Sequence, residues 1–221
     1  MNEPRMAGSG PVVPGQLAER AREIAEGTRK PAVPRDAATV ILVRQAGSGV
    51  QAGSGSGVEA FLLRRVAELE FAPGACVFPG GSVDPRDADP RIGWTGPTPA
   101  ELGRRLGVPP GRARALVCAA VRETFEESGV LLAGPGASLA GLVRDGAGLA
   151  ADRQALLAGT TSLAEVLGRR SLVVRTGLLT PWARWITPEV SPRRFDTWFF
   201  AAALPRGVTV EIAATVVVRQ R

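Results

Sequence analysis

A group of carboxylates inside an apolar helix is the part of this sequence best suited to chemistry. Glu123, Glu126 and Glu127 lie in CAAVRETFEESGVLL, residues 118–132, and Arg122 directly precedes the first of them. Positions i, i+3 and i+4 project from one helix face within about 100° of arc. Carboxylate oxygens are the ligands that Mg²⁺ and Mn²⁺ prefer, often together with a substrate phosphate. The spacing favours a divalent-metal site, and a solvated acidic face with an Arg–Glu pair is the alternative.

The carboxylates belong to a longer motif. The segment REtfEEsGv, residues 122–130, matches the second half of the Nudix box (G-x5-E-x7-R-E-U-x-E-E-x-G-U) at every specified position. Upstream, FPGG at residues 78–81 matches the sequence that usually opens this box. The chain therefore resembles the Nudix hydrolase superfamily.

The resemblance is incomplete at the first glutamate of the box. A long insert separates Gly81 from Arg122. Counting forward from Gly81 reaches Asp87 in place of that glutamate, whereas counting back from Arg122 reaches Arg114. Asp87 is thus a weak candidate for the missing carboxylate.

Two further segments resemble one branch of the superfamily, the acyl-CoA diphosphatases. FLLRRVAELEFAPGACVFPGG, residues 61–81, is similar to the stretch before the box in those enzymes, including the G-x3-F-P-G-G spacing that begins at Gly74. PWARWITPE…RRFDTWFF, residues 181–200, resembles them further along. The peroxisomal mammalian type carries a long insert at the same place. Because no peroxisomal targeting tripeptide ends this sequence, we expect a bacterial-type cytosolic relative.

The resemblance implies divalent-metal-dependent hydrolysis of a diphosphate linkage in CoA or acyl-CoA, by attack of water on phosphorus. Glu123, Glu126 and Glu127 would hold Mg²⁺ or Mn²⁺, which neutralises pyrophosphate charge and activates water. By family analogy, Arg122 would orient a catalytic glutamate. Glu123 or Glu126 would serve as general base, and Glu189 in a loop is the alternative.

Five residues are candidates for binding the substrate. Gly80 and Gly81 would let the backbone approach the metal and the diphosphate closely, although Pro-Gly-Gly is also an ordinary turn. Arg64 and Arg65 end a strand and could bind phosphate, or be solvated charges. Arg194 is open to the same two interpretations.

The elements that position these residues predict an α+β protein, because strands and helices mix without regular βαβ alternation. The resemblance implies the Nudix fold, in which a mixed β-sheet is sandwiched between helices (α/β/α). The predicted strands cover residues 37–45, 58–65, 172–175, 182–187 and 195–204, followed by a β-like tail. PGACVFPGG, residues 73–81, is predicted to hold a further short apolar strand between glycine-bearing turns. The predicted helices are a short one in 98–107, a long one at 112–128 that begins after two prolines and ends before Gly129, and two short ones within 155–171.

The predicted domain organisation is simple. A flexible N-terminal arm covers residues 1–35, with a short helix as an option in QLAERAREIAEG, and a Nudix hydrolase domain covers 36–221 with an insert at about 82–110. The tail RGVTVEIAATVVVRQR does not obviously supply the closing helix of relatives. The expectation therefore includes a truncated C-terminus.

Composition excludes several classes of function. The 221 residues contain no histidine, which rules out His-based triads and His-ligated zinc. No run of about 18 apolar residues and no signal peptide is present, so we expect a cytoplasmic protein without a membrane partner. The net charge of +6 reflects arginine, and either a GC-rich genome or a polyanion-binding surface explains it. No nucleic-acid motif supports the latter, and the expected partner is a small diphosphate, with a homodimer as the candidate assembly.

Cysteines and tryptophans in apolar runs are expected to lie in the core. Cys76 and Cys118 are interpreted as core thiols of a reducing compartment. Trp182, Trp185 and Trp198 alternate with polar residues on predicted strands, and we expect core positions rather than base stacking.

Two alternative functions remain open. The chain could be a Nudix hydrolase of another nucleoside diphosphate derivative, such as ADP-ribose, NADH or a nucleotide sugar. It could also be a degenerate, non-catalytic Nudix-fold binding module, because the first glutamate of the box is missing.

Overall fold

A mixed β-sheet and the long helix that follows the insert organise the fold. The computed structural model describes residues 15–45, 58–64, 75–136, 148–204 and 214–218. The helices are α1 (Gly15–Ala25), α2 (Pro99–Leu106), α3 (Pro110–Ser128), α4 (Leu149–Leu157) and α5 (Leu163–Arg169). The strands are β1 (Arg35–Gln45), β2 (Val58–Arg64), β3 (Cys76–Val77), β4 (Gly80–Ser82), β5 (Trp94–Thr95), β6 (Ala133–Pro135), β7 (Leu172–Arg175), β8 (Thr180–Ile186), β9 (Phe195–Ala203) and β10 (Ala214–Val218).

The main sheet contains both parallel and antiparallel pairs, as predicted for an α+β fold. Its order is β10-β2-β1-β9-β8, with β3 paired to β2 and β4 paired to β1. Strands β1 and β9 run parallel from Arg35↔Phe195 to Val43↔Ala203, and the other pairs of this sheet are antiparallel. A second, smaller sheet has the order β5-β7-β6.

Helix α3 forms where its sequence signals predict it. Pro110 occupies the first turn, where an amide hydrogen would have no helical partner, and Gly129 ends the helix in the left-handed conformation at φ 76°. The helix packs against β1 and β4 on one side and against α2 and α4 on others. Its apolar side chains share one core with those of β1, including Val40, Leu42, Val117, Val121 and Phe125. This packing fixes the helix beside the strand that carries the predicted glycines.

The short strand predicted between the glycine-bearing turns of residues 73–81 is confirmed as β3, which pairs with β2. A second short strand, β4, begins at the predicted turn Gly80–Gly81 and pairs with β1. Pro79 stands between them and has no amide hydrogen to donate to a continuous ladder.

The predicted helices agree with the structure apart from the start of α4. Ser162 and Glu165 form the expected capping box at the start of α5, and α4 begins earlier than predicted, at Leu149. Helix α1 lies inside the predicted N-terminal arm, and the flexibility of that arm stays a prediction. No helix in the described part of the chain is long and apolar enough to cross a membrane.

Three side chains correct the predicted core. Trp182 and Trp185 are 71% and 63% exposed, because β8 is an outer strand of the sheet. Cys76 is also exposed. The prediction is correct for Trp198 and Cys118, which are buried.

Candidate active site

The predicted glycine corner and the predicted glutamates meet where β4 packs on α3. The amide of Gly80 donates a hydrogen bond to Glu127 Oε2 at 2.8 Å. A Cβ added to Gly81 would lie 2.5 Å from Glu123 Oε1, so any side chain there would displace the carboxylate. A Cβ on Gly80 would lie 2.6 Å from the backbone oxygen of Ala38 on β1. Gly80 is therefore required for β4 to lie against β1, whereas a side chain at Gly81 would move the Glu123 carboxylate.

Arg122 forms hydrogen bonds with two of the three glutamates. Its Nη1 donates to Glu123 Oε1 at 2.7 Å and to Glu126 Oε2 at 3.4 Å. Its Nη2 also donates to the backbone oxygen of Ser82 at 2.9 Å, which ties the end of β4 to the helix. The side chain is 12% exposed, so these contacts are shielded from water. They are the contacts that a residue orienting Glu123 or Glu126 would make, and the catalytic role stays a prediction.

Asp87 joins this group from the insert, where sequence reasoning gave it little weight. Arg122 donates to both of its carboxylate oxygens at 2.9 Å, through Nε and Nη2. Asp87 is 1% exposed and lies in a 3₁₀ turn, Pro85–Ala88, that begins with a capping box from Asp84. The turn packs against α3. The forward count from Gly81 was the sequence signal for this residue, and the long insert obscured it.

Burial and neighbouring negative charges disfavour the ionised forms of Glu123 and Glu126. Burial raises the pKa of Glu123 to about 7, and the charges of Glu126 and Glu127 add to the rise against the opposing effect of Arg122. Burial also raises the pKa of Glu126. Desolvation and like charges disfavour ionised carboxylates, and a bound cation reverses both effects.

The donor set fits a hard divalent cation in its chemistry. It consists of partly buried carboxylates that outnumber the single arginine among them. Across residues 15–45, 58–64, 75–136, 148–204 and 214–218, no three His, Cys, Asp or Glu side chains are gathered closely enough to hold a metal ion. Arg122 contacts one oxygen of Glu123 and one of Glu126, and a bound ion would require the carboxylates to come closer together.

The other predicted residues lie in different settings. Arg64 is exposed at the end of β2, in register with Cys76, and Arg65 lies outside the described residues. Arg194 donates to the backbone oxygens of Thr187 and Ala32 at 2.9 and 2.8 Å, so it fastens two chain segments. Glu189 lines a cavity of about 130 Å³ formed with the segment after α1.

A larger cavity opens beside Glu126, and sequence reasoning missed it. Its volume is about 230 Å³. The 3₁₀ turn of the insert and the loop between α4 and α5 form its walls, and Arg122 and Glu126 form part of its lining.

Comparison with known protein families identifies the fold family. The family model of the NUDT19 Nudix domain matches residues 100–219, more than half of the chain. The chain belongs to this Nudix family. Among known structures, this Nudix protein is similar to a NUDIX hydrolase from Alicyclobacillus acidocaldarius, with 29% identity, a TM-score of 0.60, and coverage of 84% of this chain and 79% of that one.

Curated relatives carry a more specific name. The chain is 30% identical over 214 residues to the acyl-coenzyme A diphosphatase NUDT19 of Gallus gallus, covering 77% of this chain and 55% of the relative. It is 33% identical over 184 residues to the Homo sapiens protein of the same name, covering 67% and 48%. A putative nudix hydrolase 7 of Caenorhabditis elegans is 34% identical over 139 residues, covering 63% and 37%. The chain thus spans about half the length of the curated relatives it matches.

Proposed function

We propose that this Nudix protein hydrolyses the diphosphate linkage of CoA or acyl-CoA, releasing 3′,5′-ADP and a phosphopantetheine. The names of the chicken and human relatives support this substrate class. The observation that carries the proposal is the contact between the acidic face of α3 and the glycine corner. There Glu127 accepts a hydrogen bond from the Gly80 amide, and the Glu123 carboxylate lies against Gly81.

The glutamates have distinct parts in the proposal. Glu123, Glu126 and Glu127 would hold Mg²⁺ or Mn²⁺, which supplies charge neutralisation of the diphosphate and a more acidic bound water. Arg122 restrains the side chains of Glu123 and Glu126 and so limits the positions that they can adopt. Glu123 and Glu126 are both candidates for the general base, because each lies on the acidic face of α3 and contacts Arg122.

Phosphate binding is assigned to residues near the corner. Gly80 and Gly81 have no side chains to obstruct a diphosphate. The exposed guanidinium of Arg64 is available to a phosphate group, and Arg65 is proposed with it. Arg194 remains in the proposal, although two of its nitrogen atoms already bind backbone carbonyls.

Product analysis tests the proposal directly. CoA, hexanoyl-CoA, ADP-ribose and NADH would each be incubated with the protein and Mg²⁺ or Mn²⁺, and the products separated by chromatography. We expect 3′,5′-ADP from CoA and hexanoyl-CoA, and far less of it from the Glu126→Gln variant. Turnover of ADP-ribose or NADH alone would assign a different substrate, and CoA binding without turnover would indicate a non-catalytic module. The cytoplasmic location and the homodimer stay predictions.

A further inference from the structure

The cavity beside Glu126 shares residues with the acidic site but has a different character. Leu156, Leu157 and Leu163 supply its apolar lining. Leu156 and Leu163 are buried, whereas Leu157 is 52% exposed. An apolar wall continuous with a group of carboxylates suits a ligand that is itself part apolar and part charged.

The charged side chains that line the cavity form ion pairs with one another. Arg86 donates from Nε and Nη2 to the two oxygens of Asp84, both at 3.0 Å, and from Nη1 to the backbone oxygen of Thr161. Arg122 is paired with Asp87 in the same way. Glu126 then leaves the lining with more carboxylates than guanidinium groups. The two guanidinium groups of the lining are thus engaged by Asp84 and Asp87, and an uncharged chain requires neither of them.

The size of the cavity points to a part of a substrate. Pockets that enclose a whole small molecule have volumes of about 300–1,000 Å³. At about 230 Å³ this one is smaller, so it would hold a segment of a long molecule. We infer that the cavity receives the uncharged pantetheine or acyl end of the substrate, while the nucleotide lies elsewhere. This inference rests on the proposed hydrolysis of CoA derivatives and adds the residues that would select their tail.

A ligand without phosphate groups tests the inference separately from catalysis. S-hexanoyl pantetheine would be titrated into the ¹⁵N-labelled full chain and followed by amide chemical shifts. We expect saturable shifts at Leu157, Gly159, Thr161 and Ser162, which line the cavity. Shifts confined to other parts of the protein, or no shifts at millimolar ligand, would overturn the inference.

Two variants at Leu157 sharpen the test, because a half-exposed position tolerates substitution. Leu157→Trp fills the cavity and should weaken binding of S-hexanoyl pantetheine at least tenfold. Leu157→Ala keeps the space but removes apolar contact and should weaken binding about threefold. Val33→Trp, at a position that is 86% exposed, is the matched control and should bind as the wild type does. Equal affinity in all four proteins would overturn the inference.

Kinetics separate this inference from the proposed function. With hexanoyl-CoA, Leu157→Trp should raise KM about tenfold, with a smaller change in kcat, because apolar contact with the tail is the same in the ground state and the transition state. If the wild type binds the pantetheine ester in the cavity but cleaves no CoA derivative, the hydrolysis proposal fails and the tail site stands. If it cleaves hexanoyl-CoA with unchanged KM in the variant, the tail site fails alone.

Discussion

Helix α3 contributes one arginine to each of two ion-pair clusters. One cluster has equal numbers of arginines and carboxylates, and the other has more carboxylates than arginines. Near the start of α3, Arg112 donates to both oxygens of Asp36 at 2.6 and 2.8 Å and to Asp196 at 2.8 Å. Asp196 also accepts two hydrogen bonds from Arg184, at 2.7 and 2.6 Å. Two arginines thus meet two aspartates. Near the end of the same helix, Arg122 alone meets Asp87, Glu123 and Glu126.

The difference separates a cluster that can be purely structural from the one that we propose to act in hydrolysis. Hydrogen bonds from Arg184 and Arg112 hold the pKa of Asp196 below its usual value. Burial instead raises the pKa of Glu123 to about 7. A cluster whose charges cancel can fix β1, β8 and β9 to the helix without a ligand. A cluster with surplus negative charge costs stability unless a cation joins it, and such groups are typical of active sites.

The largest expected effect is the loss of turnover when one of the carboxylates around Arg122 is removed. Glu126→Gln should lower kcat for CoA hydrolysis by about 10³-fold, or about 4 kcal/mol in the barrier, because a proposed metal ligand is lost. Steady-state kinetics with saturating Mg²⁺ measure this. Glu19→Gln, at an exposed position on α1, is the control and should retain wild-type rates. Near-normal turnover in the Glu126 variant would remove that residue from the site.

Breaking the balanced cluster should instead cost stability. Asp196→Asn leaves Arg112 and Arg184 without their shared carboxylate, and we expect the free energy of unfolding to fall by about 1–2 kcal/mol, because both arginines are partly exposed to water. Urea denaturation measures the change, and kcat of the folded fraction should stay unchanged. Asp89→Asn removes an exposed Asp–Arg pair and should change stability little. A large loss of kcat without a loss of stability in Asp196→Asn would reverse the assignment of the two clusters.

The pH dependence of stability should reveal Glu123 in the metal-free protein. Its pKa in the folded state, about 7, lies above the ordinary value of 4.5, so the folded protein holds this proton more tightly. The free energy of unfolding should therefore fall as pH rises from about 4.5 to about 7, by roughly 2 kcal/mol. Urea denaturation with a chelator at several pH values tests this. Glu123→Gln should reduce the decline to the smaller part that belongs to Glu126, and an identical decline in that variant would assign it to other groups.

A smaller effect is expected from the aspartate of the insert. Asp87→Asn weakens the hold on Arg122 and should reduce kcat about tenfold, as loss of partners behind a site commonly does. Asp87→Glu keeps the charge and is the matched variant, which should recover part of the rate. The pH profile of kcat should shift in Asp87→Asn, because Arg122 would be free to move relative to Glu123. A loss of stability with an unchanged pH profile would mean that Asp87 only supports the fold.

The sequence was most informative where the signal was local. Helix α3, its glycine end and the face shared by its glutamates follow from spacing within one segment, and the structure confirms the helix. The contact between Gly80 and Glu127 joins residues far apart in sequence, and the motif resemblance made it predictable. No such motif covers Arg112, Asp36 and Asp196, so their cluster could not be predicted.

Errors arose where tertiary packing decides the outcome. Alternation along β8 gave no information about its place at the edge of the sheet, so the predicted burial of Trp182 and Trp185 was wrong. The cavity beside Glu126 depends on how the insert and the α4–α5 loop pack together, and neither segment has a distinctive sequence.

Binding of Mn²⁺ to the wild type and to the Glu126→Gln/Glu127→Gln double variant tests the central claim most directly. Electron paramagnetic resonance of free Mn²⁺ gives the affinity without any substrate, and Asp196→Asn serves as the control. We expect the wild type and the control to bind Mn²⁺ alike, and the double variant to bind it at least tenfold more weakly. Equal Mn²⁺ affinity in all three proteins would contradict the account, because the surplus charge around Arg122 would then not be the cation site.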